Sequence, residues 1–346
     1  MCPHMTSKFV DETAQKSSVF SSKATYTRGL MKKLLSILLL FVFALNATEH
    51  PHLIIHFDIN KTLIASDSTE NKTTDDVINE LLSKKYTACW DEFVKEPITF
   101  EAYVKASILP GPDHDPHLKE QRLVHLIHFI DYLQKNNHAL YATAQKEYTR
   151  VKSILDQSST KVFPSFYQFV NEINKKGIPY TLFLRSFGQD VFEVTNEINS
   201  IFPDLFTSSG SFKKGILHLQ NNEILEKTDA IHQFFLSKQN AAIRDDWHHW
   251  MQGKMEAKFG KPFYLEPENK NVLCLFFDDN IKLNSPDKNV VGPLHGKTGE
   301  SLCLNQLIEK RQVIPVNTLE AIANPRYYIE HLEEALKINQ NNSHKN

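Results

Sequence analysis

Leu53-Ile54-Ile55-His56-Phe57-Asp58-Ile59-Asn60-Lys61-Thr62 decides how this chain is read. A mostly apolar run ends in a carboxylate. A short run of this kind, bounded by polar residues, reads as a strand buried on both faces. Two later stretches repeat the pattern. Tyr180-Thr181-Leu182-Phe183-Leu184-Arg185 leads into Ser186-Phe187-Gly188, and Val272-Leu273-Cys274-Leu275-Phe276-Phe277 leads into Asp278-Asp279-Asn280. Between these runs the apolar spacing is helical. Val77, Ile78, Leu81 and Leu82 mark one helix; Leu123, Leu126, Ile127, Ile130 and Leu133 mark a face within the mostly helical stretch 88–160, broken at Pro110-Gly111-Pro112. Further helices are expected over 163–175, 189–201, 228–258 and 325–338, and a hairpin over 212–225 turning at Asn221-Asn222. Buried strands separated by helices define an α/β protein with a Rossmann-like, mostly parallel sheet.

In open α/β sheets ligands bind at the carboxyl ends of the strands. All three runs place polar groups there. If the strands are neighbours, Asp58, Asp278 and Asp279 converge with the Ser186 hydroxyl and several loop amides. Crowded carboxylates repel unless a cation neutralises them. Carboxylates with waters are the usual surroundings of Mg²⁺. A free Asp58 carboxylate can attack phosphorus. Ser186 and the amides opening the next helix can hold phosphate oxygens. A lysine is wanted to balance the nucleophile and the phosphate. Lys261, in Gly260-Lys261-Pro262 before the third strand, suits this role, with Lys254 and Lys258 as alternatives.

Phe57-Asp58-Ile59-Asn60-Lys61-Thr62, Leu184-Arg185-Ser186, Lys261 and Phe276-Phe277-Asp278-Asp279 resemble the four ordered motifs of the haloacid dehalogenase (HAD) superfamily. The resemblance spans residues 53 to about 281 and rests on about a dozen positions. It implies a Rossmann-like core formed by 48–75 and 163–346, and Mg²⁺ as cofactor. By position, Asp58 is implied as nucleophile. Thr62, Ser186, Phe187, Gly188 and Lys261 are implied around the phosphate, and Asp58, Asn60, Asp278 and Asp279 around the metal. The insertion 76–162 resembles that superfamily's helical cap, which closes over the site and sets substrate choice. The implied activity is phosphoryl transfer or hydrolysis on a small phosphorylated metabolite through an aspartyl-phosphate.

One position departs from that pattern. Most phosphatases of the superfamily carry a second aspartate two residues after the nucleophile, as general acid and base. Here that residue is Asn60. Its amide can orient a water, and its backbone carbonyl can reach Mg²⁺, but it cannot deliver a proton to an alkoxide. Losing such a group costs on the order of 10²–10⁴ in rate. Acyl and aryl phosphates, with better leaving groups, suffer less. The alternative is a catalytically weak or inactive binding protein that keeps the fold.

The first 47 residues stand apart. Met31-Lys32-Lys33 precedes the apolar run from Leu34 to Leu45, with Asn46-Ala47 following. This reads as a secretory signal peptide, and residues 1–30 as an upstream extension ahead of a start at Met31. The run falls short of the ~20 apolar residues that span a bilayer, which favours cleavage over a membrane anchor. An exported protein, periplasmic or secreted, is expected. The full chain has 346 residues, 41% hydrophobic and 23% charged, which excludes a disordered chain and a polytopic membrane protein. Setting aside 1–47, with six basic and two acidic residues, lowers the totals from 39 and 41 to 33 and 39, a formal net charge of −6. That balance argues against a nucleic-acid partner.

Other residues carry weaker signals. Cys89, Cys274 and Cys303 form neither a disulfide framework nor a zinc motif. Of His114, His117, His125, His128 and His138, His125 and His128 sit one helical turn apart, and no Cys or HExxH partner accompanies them. Trp247 and Trp250 share a helix face, either as core packing or as an aromatic wall beside the cleft. Asn60-Lys61-Thr62 and Asn71-Lys72-Thr73 match glycosylation sequons; sugar on Asn60 would block the site, so that match is read as accidental.

Overall fold

The structure is a computed structural model and describes residues 51–66, 72–112 and 115–343. The extension and signal peptide expected over 1–47 lie outside these residues, as do His114 and Asn71. In chain order the strands are β1 (His52–Asp58), the short β2 (Thr87–Ala88) and β3 (Ile98–Thr99), β4 (Tyr180–Ser186), β5 (Ser208–Lys213), β6 (Ile216–Leu219), β7 (Ile224–Leu225), β8 (Ala241–Arg244), β9 (Lys261–Leu265), β10 (Val272–Asp278), β11 (Val291–His295) and β12 (Val313–Pro315). Eight of them form one sheet in the order β12-β10-β1-β4-β8-β5-β6-β7. From β12 to β5 every pairing is parallel; the β5–β6 and β6–β7 pairings are antiparallel. Helices flank this sheet, so the protein is α/β. β9 and β11 pair in parallel as a separate two-stranded sheet.

The three apolar runs form the centre of the sheet because they bury both faces. Side chains alternate across β1, as strand geometry requires. Leu53, Ile55 and Phe57 enter one apolar core and Ile54 enters the other. Phe57 lies opposite Phe277 of β10 and Leu184 of β4, which brings the carboxyl ends of the three strands level. Phe57 stacks on Phe277 at 4.8 Å and meets Tyr328 edge-on at 5.2 Å. Each such buried aromatic contributes roughly 2–3 kcal/mol by removal from water.

Residues 76–162 are mainly helical. Their helices run over Thr74–Lys85, Pro116–Ile127, Phe129–Lys135 and Tyr141–Gln157. The first starts at a capping box, in which Thr73 and Asp76 bond each other's backbone N–H. Trp90, Phe100, Phe129 and Leu133 from this segment belong to the same apolar core as Phe57 and Phe166. All the described residues lie within one structural unit, Pro51–Asn346. Among them, no helix is long and apolar enough to cross a membrane.

Several local expectations are corrected. The stretch 228–258 is not one helix: Thr228–Leu236 is helical, but Ala241–Arg244 is β8, inside the main sheet. Its backbone is claimed by β4 on one side and β5 on the other, which overrides the helix-favouring alanines. The hairpin expected over 212–225 is present as the β6–β7 pair, and β5 extends it to a three-strand meander. Its second turn holds Asn221-Asn222; its first, at Lys214-Gly215, puts both residues at positive φ (51° and 83°). The stretch 88–160 opens with the β2–β3 ladder rather than a helix.

Candidate functional site

The chain lays down β1, moves to β4 and β8 on one side, then crosses back to β10 and β12 on the other. The order therefore reverses between β1 and β10. A crevice opens at such a switch point, at the carboxyl ends of the strands. Asp58 is the last residue of β1 and Asp278 the last of β10. Carboxylate oxygens of Asp58, Asp278 and Asp279 lie within 4.8 Å of one another. Among the described residues this is the one acidic, His or Cys group with the spacing of a metal site.

Lys261 opens β9 and reaches into the group. Its Nζ donates to Asp58 Oδ1 and, at 2.8 Å, to Asp278 Oδ2. The ammonium is 1% exposed, Asp278 0% and Asp58 5%. Lys258 instead pairs with Glu256 at 2.8 Å, and Lys254 sits in a turn at φ 54°. Only Lys261 of the three candidate lysines is bonded to the carboxylates. The Thr62 hydroxyl oxygen accepts from the backbone N–H of Asp279 at 3.2 Å, joining the β1 loop to the β10 loop. The Asn280 N–H donates to Asp278 Oδ1 at 2.8 Å.

The electrostatics follow from burial of one cation among three anions. Burial, reinforced by Asp278 and Asp279, pushes the Asp58 carboxyl well up from its ordinary value, and Lys261 opposes this. Burial, with Asp278, raises the half-buried Asp279 to about 7 against the pull of Lys61. For Lys261 burial works downward, but Asp278 and Asp58 outweigh it and hold the ammonium above its usual range. Asp58 Oδ2 is buried with no hydrogen-bond partner. A buried carboxylate oxygen left this way is costly unless a ligand supplies the missing contact. Three oxygen donors, one of them unsatisfied, suit a hard divalent cation.

Ser186 ends β4, beside β1, and its Oγ accepts from the Gly188 N–H at 3.0 Å. Phe187 presents its ring to Lys261 Nζ at 5.1 Å from the centroid and stacks on Trp250 at 5.3 Å. The Trp250 indole N–H donates to the Asn289 carbonyl at 3.0 Å, whereas Trp247 is largely solvent-facing. Trp250 therefore backs the wall of the site and Trp247 does not belong to it. The Asn60 side chain turns to the helix after β4: its Nδ2 donates to Asp190 Oδ2 at 3.1 Å.

The loop after Asp58 is held firmly. Lys61 adopts φ 58°, a left-handed conformation costly for a residue with a side chain. Its backbone carbonyl accepts from Thr318 Oγ1 at 2.5 Å, and its ammonium lies 3.8 Å from Glu80. Glu80 also meets Lys72 at 2.6 Å and Lys84 at 2.5 Å, and these cations overcome burial to hold its carboxyl well below the usual range.

Arg185, His56 and Asp245 are charged or polar residues that the sequence did not mark as one unit. Arg185 is fully buried and grips Asp245 with two hydrogen bonds of 3.0 and 2.5 Å. The same guanidinium donates to the Pro262 carbonyl at 3.1 Å and meets His56 Nδ1 at 3.2 Å. Burial, then Arg185, keep the imidazole well below its usual pKa, hence neutral. A surface groove of about 770 Å³, lined by Gln220, Phe234 and Gln239 among others, shares no residue with this site.

No protein-family model, curated protein or solved structure matches this chain.

Proposed function

We propose that this chain is an exported, HAD-like phosphatase or phosphotransferase that acts on a small phosphorylated metabolite with Mg²⁺ as cofactor. The observation that carries the reading is the single buried ammonium of Lys261 shared by Asp58 and Asp278 at the switch point. Asp58, Asp278 and Asp279 would hold the metal, with the unpartnered Asp58 Oδ2 beside it. Bound there, Mg²⁺ supplies charge neutralisation for the phosphoryl group. Asp58 attacks phosphorus in line as the bond from phosphorus to the leaving oxygen breaks; water then opens the aspartyl-phosphate, releasing phosphate and returning the electron pair to the Asp58 carboxylate. Lys261 pulls the Asp58 carboxyl down against burial, a metal held there would add to that pull, and the ammonium balances the phosphate charge. Ser186 and the amides that follow it receive phosphate oxygens. Phe187 and Trp250 exclude water from the lysine side. The helical segment 76–162 serves as the cap, and its packing on the shared core sets which substrates enter.

The test is the full-length protein with Mg²⁺ and a panel of phosphate esters. Turnover that Asp58→Asn abolishes is the expected result; turnover that survives this substitution refutes the nucleophile. Asn60 favours a second reading, a binding protein that keeps a phosphate-shaped pocket. Phosphate-ligand binding without turnover on any ester identifies that case.

A further inference from the structure

A lysine is a point charge on a flexible stem with three rotatable donors. Two donors of Lys261 go to the Asp58 and Asp278 carboxylates. A metal or a phosphate arriving at the site engages the same carboxylates, so the ammonium needs a hold for which neither competes. Phe187 supplies one. Its ring centroid stands 5.1 Å from Lys261 Nζ, inside the reach of about 6 Å over which a ring face attracts a cation. Lys261 is 1% exposed, and such a contact is strongest where water is excluded. The ring itself is fixed. Ser186 Oγ accepts the Gly188 N–H at 3.0 Å and closes a turn around Phe187. Trp250 stacks on the ring, 12° from parallel, and its indole N–H donates to the Asn289 carbonyl. The next residue, Val290, accepts the Lys261 backbone N–H at 2.6 Å. The Asn289 side chain is fully buried, accepts from the Val290 N–H at 3.0 Å and donates to the Lys282 carbonyl at 2.9 Å. The support of the ring and the backbone of the lysine thus hang on two consecutive residues.

Resting on the reading of Lys261 as the cation of the phosphate site, we propose that Phe187 is the positioning residue for that lysine: the negative face of its ring holds the ammonium in place while metal and phosphate draw on Asp58 and Asp278. The role differs from that of an apolar plug. A plug excludes water in proportion to its size, and the charge distribution of its ring is immaterial. A positioning ring acts through its quadrupole, and its effect disappears when the ammonium is removed. Withdrawing electrons from the ring at nearly constant volume separates the two.

The experiment replaces Phe187 in the full chain by mono-, di- and trifluorinated phenylalanine, once with Lys261 present and once in Lys261→Met. Each fluorine weakens the ring's hold on a cation and adds little volume. With Lys261 present, the urea midpoint in chelator is expected to fall step by step, by roughly 0.3–1 M across the series. In Lys261→Met no such trend should appear, which makes the comparison a double-mutant cycle between ring and ammonium. On p-nitrophenyl phosphate with Mg²⁺, kcat should fall in the same order, on the order of 10-fold across the series. A midpoint that stays constant along the series, or the same trend without Lys261, overturns the contact. A stepwise midpoint with constant kcat overturns the positioning role and leaves a contact that serves stability alone. Turnover that persists in Asp58→Asn overturns the phosphatase reading, and the positioning role falls with it, while the midpoints still decide whether ring and ammonium are coupled.

Discussion

Replacing Lys261 by methionine keeps the volume of a side chain that is 1% exposed and removes its charge. Asp58, Asp278 and Asp279, with oxygens within 4.8 Å, then lose the one ammonium bonded to two of them. Breaking a buried ion pair from one side costs about 3–5 kcal/mol, because the partner stays buried and uncompensated. At a urea slope of about 2–3 kcal/mol/M that is a midpoint lowered by roughly 1–2.5 M. A divalent cation replaces the missing charge. Mg²⁺ at 100 times its dissociation constant adds about 2.7 kcal/mol by mass action. The vacated position leaves more negative charge for the ion to neutralise, so the variant should gain more from Mg²⁺ than the unaltered chain. Urea unfolding at pH 8, in chelator and in excess Mg²⁺, reads both quantities. An unchanged midpoint in chelator, or equal Mg²⁺ gains in both proteins, would refute the reasoning that Lys261 offsets a shared anionic pocket.

Two further predictions concern the same pocket and its support. Asp279 is raised from 3.8 to about 7, and Asp58 is raised by burial, so the folded chain holds protons that the unfolded chain has released. Their contribution to stability is thus fully present below the unfolded value and lost as pH rises through about 7. Buried histidines such as His56, depressed by burial, run the opposite way, so the useful quantity is the midpoint difference with and without Mg²⁺. That difference should grow from pH 5.5 to pH 8; a constant or shrinking difference contradicts metal binding through these carboxylates. Arg185→Met should cost about 3–5 kcal/mol by stranding Asp245, whereas Arg185→Met/Asp245→Leu should recover most of that loss. A double-mutant cycle by urea unfolding with no coupling between the two positions would refute the pairing.

The three strands that end at the candidate site were legible because they lie inside the sheet. β1, β4 and β10 bury both faces, so each is an unbroken apolar run, and the polar residue ending each run stands out. β8 escaped because Ala241-Ala242-Ile243-Arg244 is short, and its alanines leave a helical reading of the stretch open. Only its pairing with β4 and β5 makes it a strand. β9 and β11 carry Pro262, Gly292 and Pro293, residues that argue against strands in a sequence, and they pair only with each other. Lys261 was legible as a type of residue in a suitable interval. Its choice over Lys254 and Lys258 depended on β9 aiming it at β1.

Buried charge was the least legible part, since a sequence shows a charge but not which loops will face it. Arg185 reads as the residue before Ser186, yet its guanidinium touches β1 through His56, β9 through Pro262 and, through Asp245, the residue that follows β8. The Asp245 N–H in turn donates to the Ser186 carbonyl at 2.7 Å. One buried cation is thereby adjacent in sequence to Ser186, bonded to the neighbour of Lys261, and two residues from Asp58 in contact. A charge whose hydrogen bonds reach three different elements fixes their spacing more tightly than apolar packing, which tolerates sliding and repacking. Asp190 illustrates the same point. Along the chain it is an acid in a first helical turn, indistinguishable from one that only favours the helix. Its meaning depends on β4 lying beside β1, which places it against the amide at position 60. Motif order along the chain picked out Asp58 and Asn60, but the contact between position 60 and the helix after β4 emerges only from which loops the sheet sets side by side.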